Sequence, residues 1–513
     1  MIANSTETTS STDRRMASMV SGAGWMILYK VLERGIALAS VMVLARLLVP
    51  SDFGVMALAM SVLALLEILG SFGFDTALIQ RQDAARAHFD AVWTFNVALG
   101  LAMALAMAAL AWPLAALYGD PRLVGVMLVL AGARAIQGFE NVGIVRFRKD
   151  LQFDREFRFL LARRLATSVL VTIPLAFVFR SYWALLAGNF GGTCIAVLLS
   201  YAMHPYRPRV ATAGIRELLQ FSKWLFMTAV VEALHQRMAD LIVGRFAGTA
   251  ALGSLAMARE IARIPREMVA PVHRAVFPGY VSLAGDIALL RHSYLRVTSV
   301  LMLLALPAAA GLCLLAGRVV PLLLGTQWLA AVPLVQLLAL NGVLLVLLST
   351  AHNVILAVGN ARSASLVLAF DLLLALPLML WLVPAWGAPG AAVALLAGSV
   401  CSLPLYLKTL RRTIGLRSRE LAAMLVRPAC ATAIMAGFVA WLQWGRPPPS
   451  GAGAQIVELA LIAASAAVAY FTLLYVLWRK RHEHHSAEAW LFGRFEALLS
   501  ALHAQLRLQF RGH

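Results

Sequence analysis

The chain has 513 residues, of which 61% are hydrophobic and only 13% charged, and its formal net charge is +19. Soluble domains carry roughly one-quarter charged residues, so this composition excludes a chain of soluble domains; only the N-terminal stretch, short loops and the segment after Trp478 have room outside a bilayer. The arginines lie between hydrophobic segments and form no basic domain, which argues against nucleic acid as the partner of the positive charge.

In chain order, residues 1–21, opening MIANSTETTSST, are expected to form a disordered N-terminal tail. The hydrophobic segment that follows carries Lys30, Glu33 and Arg34, unlike the uncharged core of a signal peptide, so no cleavage is expected. Apolar runs predict about fourteen transmembrane helices, at 22–48, 53–78, 89–116, 121–141, 159–180, 183–203, 221–246, 249–277, 294–317, 329–356, 363–384, 388–409, 420–443 and 453–478. Twelve or thirteen follow if a weak segment such as 249–277 lies partly outside the membrane.

Lys and Arg alternate across these connections, and short basic loops resist translocation. One set holds Arg14 and Arg15; Arg81 and Arg86; Arg146, Arg148, Lys149, Arg155 and Arg158; Arg207, Arg209, Arg216 and Lys223; Arg291; Arg362; Lys408, Arg411, Arg412, Arg417 and Arg419; then Arg479, Lys480 and Arg481. The opposite set has single basic residues at Arg46, Arg122, Arg180, Arg245, Arg318 and Arg446. The asymmetry places both termini in the cytoplasm and the chain in the inner membrane. Residues 479–513 are expected to form a cytoplasmic basic tail, with Trp490, Leu491, Phe495, Leu498, Leu499, Leu502 and Leu506 on one helical face and Arg494, Arg507 and Arg511 near anionic headgroups. No metal site is expected at His482, His484 and His485, and the cysteines Cys194, Cys313, Cys401 and Cys430 lack ligand spacing and read as packing residues.

A shift of 199 residues lays VLARLLVPSDFGVMALAM (43–60) on IVGRFAGTAALGSLAMAR (242–259), matching Arg46 to Arg245, Gly54 to Gly253 and Ala57 to Ala256. Six spans separate the copies, so the repeat is parallel. The expected fold is an all-α polytopic membrane protein with two pseudo-symmetric six-helix lobes (22–203 and 221–410) around a central cavity. A cytoplasmic linker (204–220) joins the lobes, and two extra C-terminal helices (420–478) follow.

An ionisable residue at the bilayer centre costs roughly 2.5–3.5 kcal/mol, so clusters need a reason. On a continuous eighth span Arg259, Arg263, Arg266, Glu267, His273 and Arg274 fall within an arc of about 140°. The seventh span places Glu232, His235, Gln236 and Asp240 on one arc, and in the first Lys30, Glu33 and Arg34 face one way. These stripes suit a water-filled cationic cavity for an anionic substrate, because the guanidinium fork binds phosphate oxygens at two points; the competing reading is that the charges pair between helices or snorkel. Lys30, Arg34, Arg259, Arg263 and Arg266 are the substrate-contact candidates. Glu232, Asp240 and Asp371 are candidates for proton or sodium coupling. Glu67, Asp75, Arg134, Gln137, Asn141, Asn341, His352 and Asn353 read equally as relays or as helix-packing hydrogen bonds. No nucleophile–base pair or phosphate loop appears, so neither enzymatic activity nor a cofactor is expected, and the short external loops disfavour a polysaccharide polymerase or ligase.

The run VLARLLVPSDFGVMALAMSVLALLEILGSFGFDTALIQR (43–81), with Ala-Arg at 45–46, Phe-Gly at 53–54 and 72–73 and Ile-Gln-Arg at 79–81, resembles the amino-terminal signature of the polysaccharide transporters. These are the Wzx-type flippases and exopolysaccharide exporters of the multidrug/oligosaccharidyl-lipid/polysaccharide flippase superfamily. NVGIVRFRKDLQFDREF (141–157), AVFPGYVSL (275–283) and VVPLLLGTQWLAAVPLVQLLA (319–339) resemble further family segments, and the resemblance covers about residues 20–410. It implies a flippase that moves a polyprenyl-pyrophosphate-linked oligosaccharide between leaflets by alternating access. Arg34, Arg259, Arg263 and Arg266 would be substrate contacts, and a polysaccharide polymerase and a chain-length regulator would be partners. The cation-coupled multidrug exporters share the fold and stand as the alternative.

Overall fold

The computed structural model describes residues 3–68, 78, 86–211, 223–445 and 449–479. Among the described residues every regular element is helical. A bilayer demands this, because backbone N–H and C=O groups in hydrocarbon must be satisfied within their own segment. The chain forms two compact units, Met1–Ala256 and Met257–His513.

The first unit contains α1 (Ala3–Leu47), α2 (Pro50–Ile68), α3 (Arg86–Tyr118), α4 (Arg122–Gln137) and the short α5 (Val145–Lys149). Then α6 (Phe153–Leu165) runs through a π-helical stretch (Ala166–Thr172) into α7 (Ile173–Phe179), followed by α8 (Tyr182–Met203), α9 (Lys223–Phe246) and the start of α10 (Gly248–Ala262). The second unit holds the end of α10, then α11 (Ile264–Ser282), α12 (Ile287–Leu324), α13 (Val332–Ala357), α14 (Ala361–Trp386), α15 (Ala388–Ile414), α16 (Ser418–Gln443) and α17 (Ala452–Arg479).

Among the described residues ten helices are long and apolar enough to cross a membrane, or eleven if one bent pair counts as a span. The expected fourteen includes three segments outside that number: the first, seventh and eighth, which carry the charged stripes. Four local departures have physical causes. Helix α1 already begins at Ala3, so residues 3–21 are helical where a disordered tail is expected; neither Pro nor Gly occurs there to stop the apolar segment's helix from extending. The fourth span ends at Gln137 and turns by 64° into Val142–Lys149. Asn141 caps that turn, accepting from Gly143 N at 2.9 Å and donating Nδ2 to the Tyr206 carbonyl at 2.8 Å, so it is a packing group and not a relay. The fifth span widens to a π-helix, where the Thr172 hydroxyl donates to the Thr167 carbonyl at 2.7 Å. The eighth breaks between Ala262 and Ile264, because Pro265 in the first turn of α11 has no N–H to continue the ladder. Asp75, Arg81, Arg216, Arg446 and the tail after Arg479 lie outside the described residues.

The 199-residue repeat has a physical counterpart in the first unit. A Cβ on Gly54 would collide with the carbonyl oxygen of Thr249, and a Cβ on Gly253 would collide with that of Pro50. Pro50 and Thr249, like Gly54 and Gly253, are 199 residues apart, so each contact is the image of the other. The N-terminal turns of α2 and α10 therefore cross backbone to backbone, as small residues allow helices to do in membranes.

Arg122 ties the same crossing together. Its guanidinium donates to Asp120 at 2.7 and 3.0 Å, to Thr249 Oγ1 at 3.3 Å and to Ser51 Oγ at 3.4 Å, and Asp52 lies 3.8 Å away. The bond from Arg122 holds Asp120 below the usual carboxylate range. With its folded value depressed, Asp120 contributes stability that is present above its unfolded pKa and lost as pH falls through the folded one. Asp120→Asn is therefore expected to cost about 1–2 kcal/mol at pH 7, and Asp52→Asn less, because the Asp52 carboxylate lies 3.8 Å from Arg122 and makes no hydrogen bond to it. Thermal unfolding of the purified variants at pH 7 and pH 4 checks this; equal losses at pH 7 would contradict it.

The second unit is built on α12. Tyr294, Leu301 and Met302 pack in one cluster with Val346, Val354 and Ile355 of α13 and Tyr406 and Leu410 of α15. Along the same helix Leu303 and Leu315 join Met435 and Val439 of α16 and Ile462 and Tyr470 of α17. Two polar bonds fasten α17: Tyr470 donates to the Leu303 carbonyl at 2.9 Å, and Arg318 pairs with Glu458 at 3.0 Å.

Candidate functional site

In the first unit the basic candidates stand on α1. Lys30 pairs with Glu33 at 2.7 Å across one helical turn and lies 5.6 Å from the Tyr29 ring centroid. Arg34 is half-buried on the next position of the stripe. Helix α6 runs alongside: Trp25 meets Phe157 with ring centroids 4.9 Å apart, and Tyr29 lies in the field of Glu33, Arg163 and Arg164. Arg163 also lies 3.7 Å from Glu140. Sequence reasoning missed Arg163 and Arg164, although two consecutive arginines inside the fifth apolar segment are the kind of signal used for α1.

In the second unit the arginine stripe is organised around Arg263. Its Nη1 pairs with Glu260 at 3.0 Å and its Nη2 with Glu267 at 2.9 Å, one carboxylate on each side of the break between α10 and α11. The sequence reading did not single out Glu260, which sits three residues before Arg263, the spacing that brings side chains together on a helix. Arg259 and Arg266 flank this triad; Arg266 is exposed and makes no ion pair among the described residues. Three guanidiniums stand against two carboxylates, so the group of five keeps a net positive charge. The side chains of His273 and Arg274 lie outside the described ones.

The carboxylate candidates separate by burial. Glu232 is exposed and accepts from Gln236 at 3.2 Å. Asp240, expected on the same arc, is 2% exposed and turns to α2, where the Ser61 hydroxyl donates to it at 2.8 Å; Arg237 lies 3.7 Å away. Asp371 is buried between α14 and α15 and accepts from Ser402 at 3.0 Å. Both accept a hydrogen bond from a serine of a neighbouring helix. Arg134 lies 3.7 Å from Glu67 and donates to Gln137 at 3.3 Å, which absorbs three of the ambiguous polar groups into local pairing. No group of three potential metal ligands occurs among the described residues.

Ionisable residues carried inside helices that otherwise fit a bilayer define the class: a polytopic α-helical membrane protein whose spans enclose polar groups, the organisation of carriers. Residues 43–333 match the family described as polysaccharide biosynthesis protein, and the chain belongs to that family. It is 25% identical over 334 residues to the lipopolysaccharide biosynthesis protein WzxC of Escherichia coli (strain K12), covering 63% of this chain and 67% of that protein. It is 26% identical over 327 residues to the succinoglycan biosynthesis transport protein ExoT of Rhizobium meliloti (strain 1021), covering 63% and 66%. The match to the teichuronic acid biosynthesis protein TuaB of Bacillus subtilis (strain 168) is 26% over 306 residues, 58% of this chain and 62% of that one. Among solved structures the fold is similar to the lipid II flippase MurJ in an inward closed conformation, with a TM-score of 0.70, 12% identity and coverage of 88% and 99%. It is also similar to an inward-facing multidrug transporter of the MATE family, with a TM-score of 0.56, 16% identity and coverage of 74% and 94%. These two likenesses define the fold.

Proposed function

We propose that this chain is a flippase that carries a polyprenyl-pyrophosphate-linked oligosaccharide unit from the cytoplasmic to the periplasmic leaflet of the bacterial inner membrane for surface polysaccharide synthesis. The observation that carries the reading is the net positive group Arg259, Glu260, Arg263, Arg266 and Glu267, on a segment that follows the span Tyr182–Met203 and precedes the span Ile287–Leu324 in chain order. A pyrophosphate is complementary to a net positive group, and guanidinium forks match its oxygens. Lys30 and Arg34 on α1 are the contacts proposed from the first unit, and the names of the relatives, which concern polysaccharide synthesis and transport, agree with the substrate class.

In this reading both termini are cytoplasmic, two six-helix lobes alternate access to a cavity between them, and Asp240, Asp371 and Glu232 serve a coupling cation. A polymerase and a chain-length regulator would receive the exported unit. The buried serine-bound carboxylates also suit a cation-coupled drug exporter, so the test must separate the two. Deletion of the gene is expected to strand lipid-linked repeat units in the cytoplasmic leaflet and abolish surface polysaccharide. Unchanged polysaccharide with altered drug tolerance would overturn the proposal.

A further inference from the structure

Hydroxyl side chains from three helices gather in the apolar core of the second unit. Tyr280 stands on the last turn of α11, Tyr294 and Thr298 one turn apart on α12, and Thr350 on α13; none is more than 2% exposed. The Tyr294 hydroxyl is adjacent to those of Thr298 and Thr350, and Tyr280 lies in its field. Around the two tyrosines pack Leu290, Leu301, Met302, Val346 and Val354.

A polar group in such surroundings needs a partner, because hydrocarbon supplies none. Thr350 has one. Its hydroxyl donates to the carbonyls of Val346 and Leu347 at 3.1 and 2.7 Å, so its oxygen remains as an acceptor for Tyr294. Thr409 and Thr413 on α15 likewise donate to their own helix, at 2.9 and 2.8 Å. Thr298 departs from this pattern. Among the described residues neither its hydroxyl oxygen nor that of Tyr280 makes a hydrogen bond, although both are buried and both stand near Tyr294. Leaving a buried hydroxyl unbonded is costly, and native cores hold few such groups. Buried water resolves such sites, making about three bonds to otherwise unpaired polar groups. A cation is the poorer fit, because none of the described carboxylates acts on Tyr280 or Tyr294.

We infer that Tyr280, Tyr294 and Thr298 hold a buried water molecule that fastens the last turn of α11 to α12. Tyr280 and Thr298 donate to the water, the water donates to Tyr294, and Tyr294 donates to Thr350, whose own hydrogen goes to its helix. Every hydroxyl hydrogen then has an acceptor, and the water makes three bonds. The site adds a polar fastening to the apolar contacts that Val272, Val276 and Leu283 of α11 make with the same cluster. The inference concerns the packing of the second unit and not its cargo, so it stands or falls separately from the transport reading.

The test combines thermal unfolding of the full chain in detergent with a structure determined at a resolution that shows ordered water. A water is expected within hydrogen-bonding distance of Tyr280 Oη, Tyr294 Oη and Thr298 Oγ1. Tyr280→Phe and Thr298→Val, which delete a hydroxyl and keep the shape, are each expected to lower the melting temperature by about 2–4 °C, the shift of one lost hydrogen bond. The double variant is expected to lose less than the sum of the two, because both hydroxyls share one partner. An unbonded hydroxyl behaves in the opposite way, and its removal raises the melting temperature. Such a rise in either variant, strict additivity, or a direct bond between Tyr280 and Tyr294 with no water at Thr298 would overturn the inference. So would a melting temperature that climbs with sodium chloride but not with choline chloride and loses that response in Tyr280→Phe, which would assign the site to a cation.

Discussion

Gly54→Val is expected to abolish the stably folded protein, and Gly253→Val to do the same, although both replace a small residue by an apolar one in a membrane helix. At each position the new Cβ meets a backbone carbonyl, Thr249 for Gly54 and Pro50 for Gly253, so no side-chain rotation relieves the clash. The helices α2 and α10 must part, which also stretches the bonds from Arg122 to Ser51 and Thr249. Overpacking of this kind costs about 3 kcal/mol or more, against a total stability of about 5–15 kcal/mol. Gly311→Ala on α12, where nothing lies within 4 Å of the added Cβ, is expected to be neutral or stabilising by about 0.5–1 kcal/mol. The measurement is thermal unfolding in detergent together with the yield of inserted protein. A wild-type melting temperature for Gly54→Val would show that the crossing is not tight.

The second large effect is expected at the arginine stripe, where the two central arginines should behave differently. Arg266→Ala should leave the melting temperature unchanged, because Arg266 is exposed and makes no ion pair among the described residues. It should lower polysaccharide export at least tenfold, the effect of losing one charge-assisted bond of about 1.5–3 kcal/mol to a phosphate. Arg263→Gln should lower stability as well, since Glu260 and Glu267 then face each other's field without their shared cation. Adding Glu260→Gln and Glu267→Gln to it should restore stability and leave export low if Arg263 touches the substrate, or restore both if it serves only the carboxylates. Normal export from a normally inserted Arg266→Ala protein would remove that residue from the proposed contacts.

The spans were legible in the sequence because hydrophobicity in a bilayer is a property of each segment alone; α12 to α17 fall where apolar runs place them. The breaks were partly legible. Pro265 is visible in the sequence, yet a stripe drawn on a continuous helix passes over it, and the π-helix at Ala166–Thr172 leaves no compositional trace. The stripe also captured Arg259, Arg263 and Arg266 as one group while missing Glu260, because an arc chosen for cations drops the acid beside them. Asp240 shows the limit most plainly. Its helical position puts it with Glu232, but its hydroxyl partner, Ser61, is 179 residues away.

By itself the sequence determined that the chain is helical and membrane-spanning; the side of the bilayer its basic loops favour and the repeat of residues 43–60 in 242–259 are expectations drawn from it. Periodicity, composition and repetition are local or additive, so they survive without coordinates. Only the tertiary structure decided that Gly54 and Gly253 are the points where those segments touch, and that Arg263 is shared between two carboxylates. Each of these depends on a distance between helices, and no single helix records the positions of its neighbours.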